Sequence, residues 1–204
     1  KYFYSEIFKF MQEIELRQKY SSITPEALSL IVGSFVGFND KFSLLDIGAG
    51  FGLYSIEIAK KYAQSSVVSV EPQSDRYELL NSSPHRNLKC IKTDAVSFIK
   101  ANEMKFNIVL LMHTLSYCLN KKEIFEGIEN LLNEDGILVF TDFIFETSDE
   151  DLISRNAIYN NLKLEKFDYS DYLNRGDLTI IAERPILDNN SILSIMKKGV
   201  FQWK

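Results

Sequence analysis

A chain of 204 residues, 46% of them hydrophobic and 25% charged, is sized for one globular domain with a substantial core, which sets disorder aside. Its formal net charge is −5, and its Lys and Arg residues are scattered, so no basic stripe awaits a phosphate backbone and no nucleic-acid partner is expected. Cys90 and Cys118 stand alone in apolar runs, without the spacing of a zinc site or the density of a disulfide scaffold.

From the N-terminus, Phe3, Ile7, Phe10 and Ile14, with Tyr4, Phe8 and Met11 beside them, recur at helical spacing and predict an amphipathic helix. The start, Lys1-Tyr2-Phe3-Tyr4-Ser5-Glu6, lacks the order of a secretory signal, and no apolar run has bilayer-spanning length. The expectation is a cytoplasmic protein with no membrane partner. Thr24-Pro25-Glu26 announces a second helix, with Thr capping the orphan amides and Pro in the first turn, ending near Gly33 to Gly37.

From Phe42 onward, short apolar runs alternate with helical stretches, the pattern of buried parallel strands and their crossover helices. Five strands are predicted in that rhythm: Ser43 to Ile47, Val67 to Glu71, Leu88 to Lys92, Asn107 to Leu111 and Gly136 to Asp142. A helix carrying Ile124, Phe125, Ile128, Leu131 and Leu132 on one face precedes the fifth and is closed by the turn Asn133-Glu134-Asp135-Gly136. Ser148 before Asp149, Glu150 and Asp151 predicts a capped helix start. Two last strands, Leu162 to Tyr169 and Asp177 to Glu183, are expected as an antiparallel pair across Asn174-Arg175-Gly176-Asp177. The division is a single domain over 1–204: a helical extension or cap (1–40), an α/β core (41–185), and a C-terminal helix and tail (186–204).

The stretch Leu44-Leu45-Asp46-Ile47-Gly48-Ala49-Gly50-Phe51-Gly52 runs from an apolar strand into a glycine-rich turn and then a helix. Glycine permits positive φ and close approach of backbone amides, and the carboxyl ends of strands are where open α/β sheets bind small molecules. A nucleotide-type ligand is implied. The spacing Gly-x-Gly-x-Gly departs from the dinucleotide fingerprint, and no Gly-Lys-Ser or Gly-Lys-Thr follows for a P-loop.

Here the sequence resembles the class I S-adenosylmethionine (SAM)-dependent methyltransferases, whose first motif is an apolar strand, an acidic residue and three alternating glycines. Asp46, Gly48, Gly50 and Gly52 match it, and Ala49 lies within it. The resemblance continues at Glu71-Pro72, where the family places an acidic residue that accepts from the ribose hydroxyls. It continues again at Asp94-Ala95, where the family often places an acidic residue that accepts from the adenine amino group. The plain alternatives are a solvated strand end for Glu71 and a helix cap for Asp94, which can coexist with the adenine role. The resemblance covers roughly Phe42 to Asp142. It implies an α/β fold: a seven-stranded, mostly parallel Rossmann-like sheet with helices on both faces, the final strand antiparallel, and an N-terminal helical extension. Asn107 departs from it, since many members carry Asp there.

In that fold the segment after the fourth strand approaches the methyl group, and here it reads Leu111-Met112-His113-Thr114-Leu115-Ser116-Tyr117-Cys118. It lacks the Asn-Pro-Pro-Tyr type of motif, a Pro-Cys nucleophile and an acidic metal cluster, so no metal is expected. Met112 joins the expected cofactor-binding set. His113 is the candidate general base, against the alternative of a pocket-wall residue. Tyr4 and Tyr117 are candidate acceptor contacts, against plain core packing. The leading expectation is transfer of a methyl group from SAM, releasing S-adenosylhomocysteine, to an O or N atom of a small-molecule acceptor. A protein or nucleic-acid methyltransferase and a non-catalytic SAM-binding regulator are the other readings.

Overall fold

The structure, a computed structural model, describes residues 23–37, 41–143, 178–186 and 191–199. Helix α1 (Pro25–Val36) begins as its sequence dictates. The Thr24 side chain accepts from the Ala27 amide at 3.2 Å, and Gly37 closes the helix in the left-handed region at φ 66°. Next come β1 (Ser43–Ile47), α2 (Leu53–Lys61), β2 (Ser66–Val70), α3 (Ser74–Asn81), β3 (Leu88–Ile91) and α4 (Ala95–Ala101). Then follow β4 (Phe106–Met112), a single 3-10 turn (Leu115–Tyr117), α5 (Lys121–Leu131), β5 (Leu132–Phe143), β6 (Leu178–Ile186) and β7 (Ser191–Lys198).

These strands form one seven-stranded sheet in the order β3-β2-β1-β4-β5-β7-β6. The first five pair in parallel, and β7 runs antiparallel to both β5 and β6. Both faces are covered, so the strands alternate between two cores rather than between core and water. Leu45, Ile47, Val109, Leu111 and Phe140 pack with Ile124, Phe125 and Ile128 of α5. Leu44, Ile108, Leu110 and Val139 pack with Leu28 and Val32 of α1 and Ile58 and Ala59 of α2. Each of the Val, Leu, Ile and Phe side chains among these, removed from water, stabilises the fold by about 1.5–3 kcal/mol. Helix α1 is tied down further by the Tyr62 hydroxyl, which donates to the Ser29 carbonyl at 2.8 Å.

Asn107 has a structural task at the far end of the sheet. Its Oδ1 accepts from the Ser43 amide (2.9 Å) and the Ser43 hydroxyl (3.0 Å), joining the starts of β1 and β4.

The chain departs from the sequence expectation in two places. The expected turn at Asn133 to Gly136 lies inside β5, where Asp135 takes φ 63° and the β4–β5 register shifts between Phe106 and Ile108. The expected C-terminal helix is instead β7, inserted between β5 and β6. Its apolar residues Ile192, Leu193, Ile195 and Met196 have helix-like spacing because a strand covered on both faces has no reason to alternate. Ile195 enters one core and its neighbour Met196 the other. The pairing partner of β6 is therefore β7. The strand expected at Leu162 to Tyr169, the helix start at Ser148 and the N-terminal amphipathic helix lie outside the described residues.

Candidate active site

The strand order reverses at β1, with β2 on one side and β4 on the other, which opens a crevice beyond the carboxyl ends of these strands. The glycine loop leaves the carboxyl end of β1 at this point. Gly48, Gly50 and Gly52 have φ of 71°, 58° and 78°, a conformation that costs an L residue roughly 1–2 kcal/mol. A Cβ at Gly48 would overlap the Thr114 side chain, and one at Gly52 would overlap Leu80 of α3. The amides of Gly48 and Ala49 donate to the Val70 carbonyl at 2.8 and 3.1 Å, so β2 fixes the height of the loop.

Glu71, just past β2, is only 3% exposed. Its Oε2 accepts from the Gly50 amide at 2.8 Å and its Oε1 from the Gln73 amide at 2.9 Å. The carboxylate thus joins the glycine loop to the turn leading into α3. Since an ionised carboxylate offers about four acceptor positions, both bonds leave capacity for further donors.

Asp46 is 2% exposed and lies on the α2 face of the sheet, the face Leu44 also occupies. There the Ser55 hydroxyl of α2 donates to its Oδ2, and the Ser69 hydroxyl donates to Ser55 Oγ at 2.7 Å. Ser69 is the register partner of Asp46 in the β1–β2 ladder. Burial pushes the Asp46 carboxyl up from 3.8 to about 7; the Ser55 hydrogen bond opposes this, and the charge of Glu71 adds to it. Neither serine stands out in the sequence reading, although a lone Ser in Val67-Val68-Ser69-Val70 signals a buried polar group that needs a partner.

Asp94 caps α4. Its Oδ1 accepts from the Ser97 amide at 2.9 Å and its Oδ2 from the Ser97 hydroxyl at 2.6 Å, and these bonds hold its pKa below the usual 3.8. The carboxylate is otherwise exposed, as is Pro72, whereas Ala95 is half-buried against the core.

After β4 the backbone turns sharply at His113, whose φ is 51°. The His113 amide donates to the Thr141 carbonyl at 2.8 Å and approaches the Thr141 hydroxyl at 3.0 Å, while both imidazole nitrogens are buried. Met112 packs its side chain into the core and turns its carbonyl to Thr114 Oγ1. Tyr117 is half-buried in the 3-10 turn, and Tyr4 lies outside the described residues. Among the described residues, no group of three or more His, Cys, Asp or Glu side chains is placed to hold a metal ion, and no helix is long and apolar enough to cross a membrane.

The family described as "Methyltransferase domain" matches residues 45–138. A malonyl-[acyl-carrier protein] O-methyltransferase from Ilyobacter polytropus is 24% identical over 115 residues, covering 55% of this chain and 44% of that protein. The chain thus spans less than half the length of this curated relative. Among solved structures, the plantazolicin methyltransferase, in complex with a monoazolic desmethylPZN analog and SAH, superposes with a TM-score of 0.68 at 13% identity. That match covers 97% of this chain and 92% of the other. Coclaurine N-methyltransferase, bound to N-methylheliamine and SAH, gives 0.65 at 13% identity, with 87% and 74% covered. These likenesses are of fold, and the family match runs from the strand before the glycine loop, through Glu71 and Asp94, into β5. That match and this strand order mark residues 45–138 as a methyltransferase domain on the fold shared by these solved methyltransferases.

Proposed function

We propose that this protein transfers a methyl group from SAM to an O or N atom of a small-molecule acceptor. The observation that carries the reading is the buried Glu71 carboxylate clamped to Gly50 within a loop of three left-handed glycines, at the point where the strand order reverses. The residues present fit the cofactor. The glycine loop offers a close backbone approach for its amino-acid end, Glu71 offers spare acceptor capacity for the ribose hydroxyls, and Asp94 with the Ala95 amide flanks the adenine position. When bound, SAM supplies a methyl group on a sulfonium, which is electrophilic without help from an acid.

The protein's part is then to align the acceptor, exclude water and take up a proton. His113, on the strained turn after β4, is the group for proton removal, and Tyr117 lines the acceptor side. The acidic net charge and the names of the similar proteins support a small acceptor over a nucleic acid. Incubation with methyl-labelled SAM and a fractionated cell extract tests this: label in a low-mass product is expected, and label confined to protein or nucleic acid would overturn the small-molecule reading.

A further inference from the structure

Thr114 touches both halves of the crevice. Its Oγ1 lies 3.1 Å from the Ile47 carbonyl at the end of β1, 3.2 Å from the Met112 carbonyl at the end of β4, and 3.5 Å from the Gly48 carbonyl. Three carbonyl oxygens therefore converge on one hydroxyl proton, at the place where β1 and β4 diverge. The hydroxyl has one proton to donate, and the Ile47 carbonyl is its nearest acceptor across the gap between β1 and β4. The Thr114 methyl and hydroxyl also fill the space that a Gly48 side chain would need. Gly48 is thus gripped from two directions: Val70 accepts its amide on the β2 side, and Thr114 packs on it from the β4 side.

The same residue shapes the acceptor side. It follows the left-handed His113, immediately precedes the 3-10 turn, and its carbonyl accepts from the Tyr117 amide at 3.0 Å and the Cys118 thiol at 3.4 Å. We propose that Thr114 is a positioning residue whose hydroxyl locks the first glycine of the loop to the end of β4, setting the cofactor-binding turn and the acceptor segment in one fixed relation. This rests on the crevice being the SAM site.

Thr114→Val keeps the shape and removes the donor, whereas Thr114→Ser keeps the donor and removes the methyl group. Two readouts separate this role from general stabilisation. Hydrogen exchange followed on the protein without ligand should show the Gly48 and Ala49 amides of Thr114→Val exchanging about tenfold faster or more, with Val109 and Leu110 inside β4 unchanged and Thr114→Ser close to wild type. Calorimetry should show Thr114→Val binding SAM and S-adenosylhomocysteine about tenfold more weakly, with Thr114→Ser within about threefold of wild type. Wild-type exchange at Gly48 and Ala49 in Thr114→Val would overturn the lock. So would wild-type affinity in that variant, or a loss in Thr114→Ser as large as in Thr114→Val. If Thr114→Val does not fold, the same two measurements on Thr114→Ser and Thr114→Ala decide, with the loss expected in Thr114→Ala alone. A wild-type protein that binds neither compound while the exchange pattern holds would instead sink the reading of the crevice as a SAM site.

Discussion

Glu71 reaches from the end of β2 into the glycine loop and accepts the Gly50 amide at 2.8 Å, while its other oxygen accepts the Gln73 amide at 2.9 Å. A buried carboxylate held on both oxygens is a preorganised acceptor, so a ligand hydroxyl arriving there need not reorder it. Hydrogen bonds to a charged group are worth about 1.5–3 kcal/mol, so Glu71→Ala should weaken SAM binding by roughly ten- to a hundredfold. Glu71→Gln is not a mild control, because its amide has one acceptor oxygen for two backbone donors. It should also lose affinity, measured by calorimetry; unchanged affinity in both variants would remove Glu71 from the site.

Gly48 faces two separate obstacles to substitution: its φ of 71° and the Thr114 side chain that occupies the Cβ position. Gly48→Ala should lower stability by about 1–2 kcal/mol from the backbone alone. The forced shift of Thr114 should add a further loss and weaken SAM binding. Chemical denaturation and calorimetry on the same preparation check both, and a folded variant with wild-type affinity would mean that the loop tolerates displacement.

Asp46 makes stability depend on pH in a direction opposite to most carboxylates. Its folded pKa of about 7 lies above the ordinary 3.8. Below pH 3.8 both folded and unfolded chains hold the proton, and the contribution is present in full. Between 3.8 and about 7 the unfolded chain releases a proton that the folded chain keeps, so stability is lost across that window and levels off above it. The ceiling is about 4 kcal/mol for a gap of this size. Asp46→Asn lacks the titration, so the stability of wild type minus that of Asp46→Asn should fall from pH 4 to pH 7 in urea unfolding. The lowered pKa of Asp94 acts equally in both proteins and cancels. A flat difference would contradict the assignment.

Much of this was readable from residue order. β1 occupies Ser43–Ile47 as expected, because an apolar run that ends in Gly-x-Gly-x-Gly leaves few other readings, and α4 starts after Asp94 because Asp is a strong cap. What sequence could not supply was partnership across space. Ser55 and Ser69 meet Asp46 only because β1 and β2 pair in register and α2 crosses that face. Thr141, 28 residues from His113 along the chain, meets it only through the β4–β5 ladder. β7 is hidden in the sequence for a related reason: burial on both faces erases the alternation that marks a strand.

His113 combines a left-handed backbone with a place just past the carboxyl end of β4, the sort of local strain that clusters at functional sites. Once an acceptor is identified, His113→Ala should lower turnover by about a hundredfold or more while leaving SAM affinity nearly intact. A histidine base must be neutral to accept a proton, so the wild-type rate should fall on the acid side and that limb should vanish in the variant. Loss of acceptor affinity alone would make His113 a positioning group, and wild-type turnover with the same limb would leave alignment and desolvation as the sources of rate.

On the proposed function, SAM binds above β1, β2 and β4 through the glycine loop, Glu71 and Asp94. Calorimetric titration of the folded protein with SAM, S-adenosylhomocysteine and a nicotinamide dinucleotide decides this. Binding of the first two, weakened together by Glu71→Ala, with none of the third, is the predicted result; a dinucleotide that binds where neither SAM nor its product does would contradict it.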